Sequence, residues 1–338
     1  MRKIAIALAV LLVLVVAAAG GGWWWFNKEV SSASDPGSTE LIELAVPKGA
    51  TLQKIGGLLK EQGLIRSPLV FRIYVKLNPG HDPKAGRHHV TRAMALPALL
   101  AALDAPPLPE DVPLTIVEGW RLSDIDEALA AQGVITAGQY LAAAKNPARF
   151  QAPFTLSSSD LEGYVYPETY AVPKGPLDVD RLIQRQLEAF SERFAKPYAD
   201  EIAKSGRTLH ELVVMASLLE REEPKPEIRP KVAGVLYKRL EKKTPLGVDA
   251  TSRFTLADWN DRVAFLKKLR DPDDPYNTRL RVGLPPGPIG APSLPSLVAA
   301  LRPEPSPYFY YLHDSEKNIH FAADAAGHEA NRKKYNVY

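Results

Sequence analysis

The residues of this chain best suited to move a proton are two glutamates at the end of one apolar helix. Residues 209–222 read as helical, and at about 100° per residue Met215, Leu218, Leu219 and Glu222 fall on one narrow apolar stripe, with Glu220 nearly opposite. A carboxyl group that ends a core-facing stripe loses water, which disfavours its charged form and raises its pKa toward the range of a general acid. Pro224 and Pro226 stop the helix at this point, and the negative end of its dipole pushes the same way. On these grounds Glu222 is preferred to Glu220 as the acid. The same residue types also describe an exposed acidic helix end that runs on into Glu223.

Composition bounds what such a group can serve. A chain of 338 residues, 46% hydrophobic and 24% charged, has room for about two domains beyond an anchor. A formal charge of +3 with both signs interspersed does not imply nucleic acid. The absence of cysteine excludes thiol catalysis, disulfides and cysteine-ligated zinc. Three histidines between Pro79 and His89, namely His81, His88 and His89, invite a metal reading, but neither a cysteine nor a helical pair of histidines stands near to complete a closed site, so no metal and no cofactor is expected.

At the N-terminus, Arg2 and Lys3 precede an apolar run from Ile4 to Gly22, closed by Trp23, Trp24, Trp25 and Phe26. The run is long enough to span a bilayer, tryptophans favour its interface, and positive charge before it predicts a cytoplasmic N-terminus with the bulk outside. A cleaved signal peptide, with Ala17 to Ala19 near the cut, is the alternative. Residues 1–27 are thus expected to form the tip and anchor and 28–40, rich in Ser, Asp, Gly and Pro, a linker.

Beyond it a strand, a glycine turn and a helix occur twice. Gly49, Leu52, Ile55, Leu59, Gly63 and Ile65 return 70 residues later as Gly119, Leu122, Ile125, Leu129, Gly133 and Ile135. Neither copy carries a nucleophile with a base, so 41–150 reads as a scaffold or binding domain and 151–338 as the catalytic one.

Four blocks in order carry a family resemblance. They are Leu161-Glu162-Gly163-Tyr164-Val165-Tyr166-Pro167-Glu168-Thr169-Tyr170, then Ala216-Ser217-Leu218-Leu219-Glu220-Arg221-Glu222, then Tyr276-Asn277-Thr278 with Gly283-Leu284-Pro285-Pro286-Gly287-Pro288-Ile289, and finally His320-Phe321 with His328. Together they resemble the endolytic murein transglycosylases, or YceG-like family, and Val46 to Ala50 resembles its LysM-like region. The resemblance implies an α+β catalytic domain behind a small LysM-like βα-repeat domain and one transmembrane helix. It implies an inner-membrane enzyme that cuts the β-1,4 bond between N-acetylmuramic acid and N-acetylglucosamine without water, leaving a 1,6-anhydro end and terminating nascent strands. Glycan strands of peptidoglycan and neighbouring peptidoglycan synthases are the implied partners. One glutamate suffices for this chemistry, because it can protonate the leaving oxygen and then deprotonate the muramyl 6-hydroxyl.

The other blocks are expected to build the cleft. Tyr164 and Tyr166 offer rings with hydroxyl handles for sugar faces, Asn277 and Thr278 offer hydrogen bonds, and the prolines at 285, 286 and 288 stiffen a wall. Asp249 and His320 complete the candidate substrate residues, each also explicable as a cap or a strand-stabilising group. Glu223 stands where the family usually has Thr or Ala, which adds a like charge beside the acid. That departure favours a second reading, a non-catalytic membrane-anchored protein of peptidoglycan binding or assembly. A general glycosidase is the third.

Overall fold

A computed structural model describes residues 2–108 and 110–337, with side-chain environments from Val10 onward. The chain forms two compact units divided between Glu110 and Asp111. Both mix helices with short antiparallel strand pairs, so the class is α+β.

The first unit begins with α1 (Arg2–Ser31), a single apolar helix. Its Val10–Ser31 stretch of 22 residues would extend about 33 Å at the α-helical rise, enough to cross a hydrocarbon layer. Val10 to Val16 and Trp23 to Trp25 are exposed. The Arg2 and Lys3 side chains expected to orient the helix lie outside what is described, as does Pro109. Residues 28–40 depart from the expected linker. Val30 and Ala33 are buried, the Asp35 amide donates to the Arg92 carbonyl at 3.0 Å, and Arg66 reaches the Ala33 carbonyl at 3.0 Å. Two apolar side chains among polar ones are enough to dock a short segment that has no periodicity to reveal it.

β1 (Leu41–Val46) pairs antiparallel with β2 (Gly86–Thr91), Leu44 opposite His88. Against this pair lie α2 (Leu52–Glu61), capped by Thr51, α3 (Pro68–Leu77), capped by Ser67, and α4 (Leu96–Asp104). Their core is Leu44, Val46, Ile55, Leu59, Phe71, Val90, Leu99 and Leu103. The three histidines go separate ways: His81 pairs with Asp104 at 2.6 Å, His88 is buried between the carbonyls of Lys84 and Ala102, and His89 is exposed.

The second unit opens with β3 (Asp111–Thr115) and α5 (Leu122–Ala131). These are the second copy of the repeat, and the match holds at the backbone. Gly49 and Gly119 turn at φ 69° and 75°, Gly63 and Gly133 follow the two helices at φ 68° each, and α2 and α5 start 70 residues apart. That left-handed region is why glycine recurs at these positions. The second copy does not belong with the first, however. β3 pairs with β4 (Thr169–Pro173), and Leu122, Ile125 and Leu129 share a core with Leu161 and Leu212, so the boundary expected near residue 150 falls forty residues earlier, after Glu110. Strand pairing between positions as distant as Thr115 and Thr169 overrides what local sequence spacing suggests.

After α5 come α6 (Gln139–Ala144), α7 (Val179–Phe190) running into a wide turn at Ser191–Ala195, and α8 (Ala199–Lys204). At the centre lies α9 (Leu209–Glu222), whose start is fixed by a reciprocal cap between Thr208 and Glu211. It is not a one-sided amphipathic helix. Every residue from Leu212 to Leu219 is buried, with α10 (Arg229–Glu241), α11 (Asp249–Phe254) and α13 (Leu294–Leu301) packed around it, while α12 (Arg262–Lys268) follows α11. The chain closes with the β5 (Tyr310–His313) and β6 (Ile319–Ala322) pair and α14 (Ala325–Lys334).

Candidate functional site

Glu222 is the last residue of α9, and Glu223 beyond it is extended at φ −130°, ψ 110°. The half-buried Glu222 carboxylate lines a cleft of about 620 Å³, with Asp249, Arg279, Arg239, Tyr310, Tyr311, His328 and Arg332 among the other walls. Tyr311 donates its hydroxyl to Glu222 Oε2 at 2.7 Å, and among the described residues nothing else hydrogen-bonds this carboxylate. Burial pushes the Glu222 pKa up; the Tyr311 hydrogen bond works against it, and Asp249 adds to the rise. Tyr311 is itself held well above the ordinary phenol range by burial and by the Glu222 charge, so it stays a donor.

Glu220 has a different role. Its side chain is 6% exposed and meets Arg229, 5% exposed, through Oε1 at 2.9 Å and Oε2 at 3.2 Å. The Ser293 amide and hydroxyl also donate to Oε2, at 2.9 and 2.5 Å. Arg229 in turn donates to the Ser293 hydroxyl and to the Glu223 carbonyl, 2.9 and 2.8 Å away. Through these four hydrogen bonds from Arg229 and Ser293, Glu220 ties α9 to α10 and to the start of α13.

Glu223 is 1% exposed and fully engaged. Its Oε1 accepts from the Lys225 amide at 2.8 Å and its Oε2 is 3.0 Å from His313 Nε2. The charge that departs from the family pattern thus turns away into a pairing of its own.

Of the other candidate substrate residues, Asp249 lines the cleft, in an ion pair with Arg279 at 2.6 Å. Asn277 does not: it is fully buried, its amide donates to the Lys268 and Asp271 carbonyls at 2.9 and 3.0 Å, and its oxygen accepts from the Arg279 amide at 3.1 Å. Thr278 is buried too, its hydroxyl accepting from the Val248 amide at 3.0 Å. These two residues shape the turn that presents Arg279. Tyr164 is a core residue bonded to His210 at 2.8 Å, and Tyr166 is buried, its carbonyl accepting from the Tyr170 hydroxyl at 2.7 Å. His320 pairs with Asp314 at 2.8 Å and stacks on Tyr335, outside the cleft walls.

The proline block supports the helix from behind. The Ile289 amide donates to Ser217 of α9 at 3.0 Å, and a Cβ on Gly163, at φ 80°, would stand 2.5 Å from Pro288. Only glycine lets the 161–170 block approach this closely. Tyr311, Arg239 and Arg279 of the cleft and His313 beside it carry no local sequence signal that marks them as site residues. The alternation of Tyr311 and His313 along one strand is visible in the sequence, but it carries no information about which helix end it faces. Among the described residues no three or more His, Cys, Asp or Glu side chains gather as a metal site.

The model of the YceG-like family matches residues 44–334. An endolytic murein transglycosylase of Bacillus subtilis is 28% identical over 323 residues, covering 92% of this chain and 89% of that protein. One from Streptococcus pneumoniae strain D39 is 30% identical over 325 residues, and this chain spans 59% of its length. A crystal structure of a yceG-like protein from Listeria monocytogenes superposes with a TM-score of 0.56 at 27% identity, over 87% of this chain and 99% of that one.

Proposed function

This chain belongs to the YceG-like family, and we propose that within it the chain is an endolytic murein transglycosylase with Glu222 as its single acid and base. The observation that carries the reading is the setting of Glu222: a carboxyl group with a raised pKa, fixed through one oxygen by Tyr311, in a cleft of about 620 Å³. The cleft's other carboxylate among the described residues, Asp249, is paired with Arg279 and is not needed as a nucleophile.

In this mechanism the protonated Glu222 donates to the glycosidic oxygen as its bond to muramyl C1 breaks, leaving a 4-hydroxyl on the departing N-acetylglucosamine. The carboxylate then takes the proton of the muramyl 6-hydroxyl as O6 bonds to C1. Glu222 ends protonated, as it began, and no water is consumed. Tyr311 holds Oε2 throughout and leaves Oε1 for the proton. α1 serves as a single-pass inner-membrane anchor, N-terminus cytoplasmic, with both folded units outside, beside the synthases whose nascent strands are cut. The first unit, resembling a LysM-like module, contributes to holding glycan.

Mass spectrometry of glycan strands incubated with the full-length chain in detergent tests this. Anhydro-muramyl ends that appear with the wild type and vanish with Glu222→Gln are expected. Reducing ends would indicate a hydrolase, unchanged strands a binding or assembly protein, and an active Glu222→Gln chain would remove the assignment.

A further inference from the structure

We infer that His313, acting through Glu223, is a positioning residue for Glu222, an inference that rests on the reading of Glu222 as the acid. α9 ends in two consecutive glutamates, and β5 presents two residues of one strand face, Tyr311 and His313. They meet as two rungs: Tyr311 to Glu222 at 2.7 Å and His313 to Glu223 at 3.0 Å.

The rungs are needed because the helix gives Glu222 little support of its own. It is the final helical residue, Glu223 is already extended, and Pro224 has no amide to extend the ladder. A single hydrogen bond from Tyr311 leaves the carboxylate free to pivot about that contact, whereas a second link on the adjacent residue fixes the helix end against the strand. Glu223 is suited to be that second link. At 1% exposure it cannot turn to water, its Oε1 is held by the Lys225 amide, and its carbonyl is held by Arg229, leaving Oε2 for His313. Among the described residues no other group bonds Oε2, so without His313 a buried carboxylate oxygen loses its partner and the turn has reason to rearrange.

The test is steady-state kinetics of the full-length chain in detergent on peptidoglycan strands, counting anhydro ends. His313→Asn is too short to reach Glu223, and His313→Gln is long enough. The expected result is a loss of about 10- to 100-fold in kcat for His313→Asn with KM within about 2-fold, because a misplaced acid affects the chemical step rather than binding. His313→Gln is expected to recover kcat to within roughly 3-fold of the wild type. Combined with Tyr311→Phe, His313→Asn should cost less than the product of the two single losses, as rungs of one brace are not independent. The inference is overturned if His313→Asn keeps its kcat, if Gln and Asn behave alike, or if the two losses multiply. Glu222→Gln measured alongside separates the failures. If it is active, the reading of the acid has failed; if it is inactive while His313→Asn is unimpaired, only the brace has.

Discussion

Arg229 grips Glu220 with both terminal nitrogens, 2.9 and 3.2 Å away, in a pair almost closed to solvent. This pair divides the two glutamates of the helix end: one is bound into the fold and the other opens on a cleft. Glu220→Gln leaves the Arg229 charge buried without its counter-ion, and breaking such a pair costs about 3–5 kcal/mol. The variant should therefore show a large drop in melting temperature by circular dichroism, whereas Glu222→Gln, which leaves every buried ion pair intact, should melt near the wild type.

Tyr311→Phe should move the pH profile in a defined direction. Burial raises the Glu222 pKa and the Tyr311 hydrogen bond lowers it by stabilising the carboxylate. Deleting the hydroxyl removes stabilisation of the charged form, so the pKa rises further. A general acid fails as it deprotonates, so the alkaline limb of kcat/KM should shift to higher pH in Tyr311→Phe. A shift to lower pH would contradict the role given to Tyr311.

Glu162 predicts a pH dependence of stability away from the cleft. It is buried at the N-terminal end of α5, accepts the Leu122 amide at 3.2 Å and, among the described residues, has no hydrogen-bond partner on Oε1. Burial pushes its pKa from 4.5 up to about 8. The folded state thus holds a proton that the unfolded state releases above pH 4.5, and stability falls as pH rises from there toward 8. The slope from this one group is at most about 1.4 kcal/mol per pH unit. Denaturant melts at pH 5 to 8 should show the wild type losing stability relative to Glu162→Gln, which carries no titration.

Asn277→Ala tests whether that residue shapes the cleft or contacts sugar. It removes two donated bonds and one accepted bond at a fully buried position, a loss of roughly 2–4 kcal/mol. Thermal melting should register it, and strands added to saturation should restore little activity, since the defect lies in the fold of the turn before Arg279.

Several features are legible from local pattern alone. The apolar length of α1, the end of α9 just ahead of Pro224, and the repeated glycine turns all rest on interactions within a few residues, and each stands at the expected place. The resemblance, carried by the 161–170, 216–222 and 283–289 blocks, is legible for a related reason. Those blocks pack on one another, Gly163 against Pro288 and Ile289 on Ser217, and such close approach tolerates few residue types.

Local spacing does not supply which faces of α9 are covered. The stripe places Glu220 opposite Glu222 and pictures a surface helix, whereas α10, α11 and α13 enclose α9 on several sides and turn Glu220 inward onto Arg229. Likewise Asn277, a polar residue at a turn, reads as a ligand for substrate until the carbonyls of Lys268 and Asp271 are seen to consume its amide. Short-range sequence is enough for the apolar helix, the two glycine-turn helices and the carboxyl group at the end of α9. That this carboxyl faces β5, with Tyr311 on Glu222 and His313 on Glu223, follows from tertiary packing alone, because those pairings join residues about ninety positions apart and depend on how β5 docks against the end of α9.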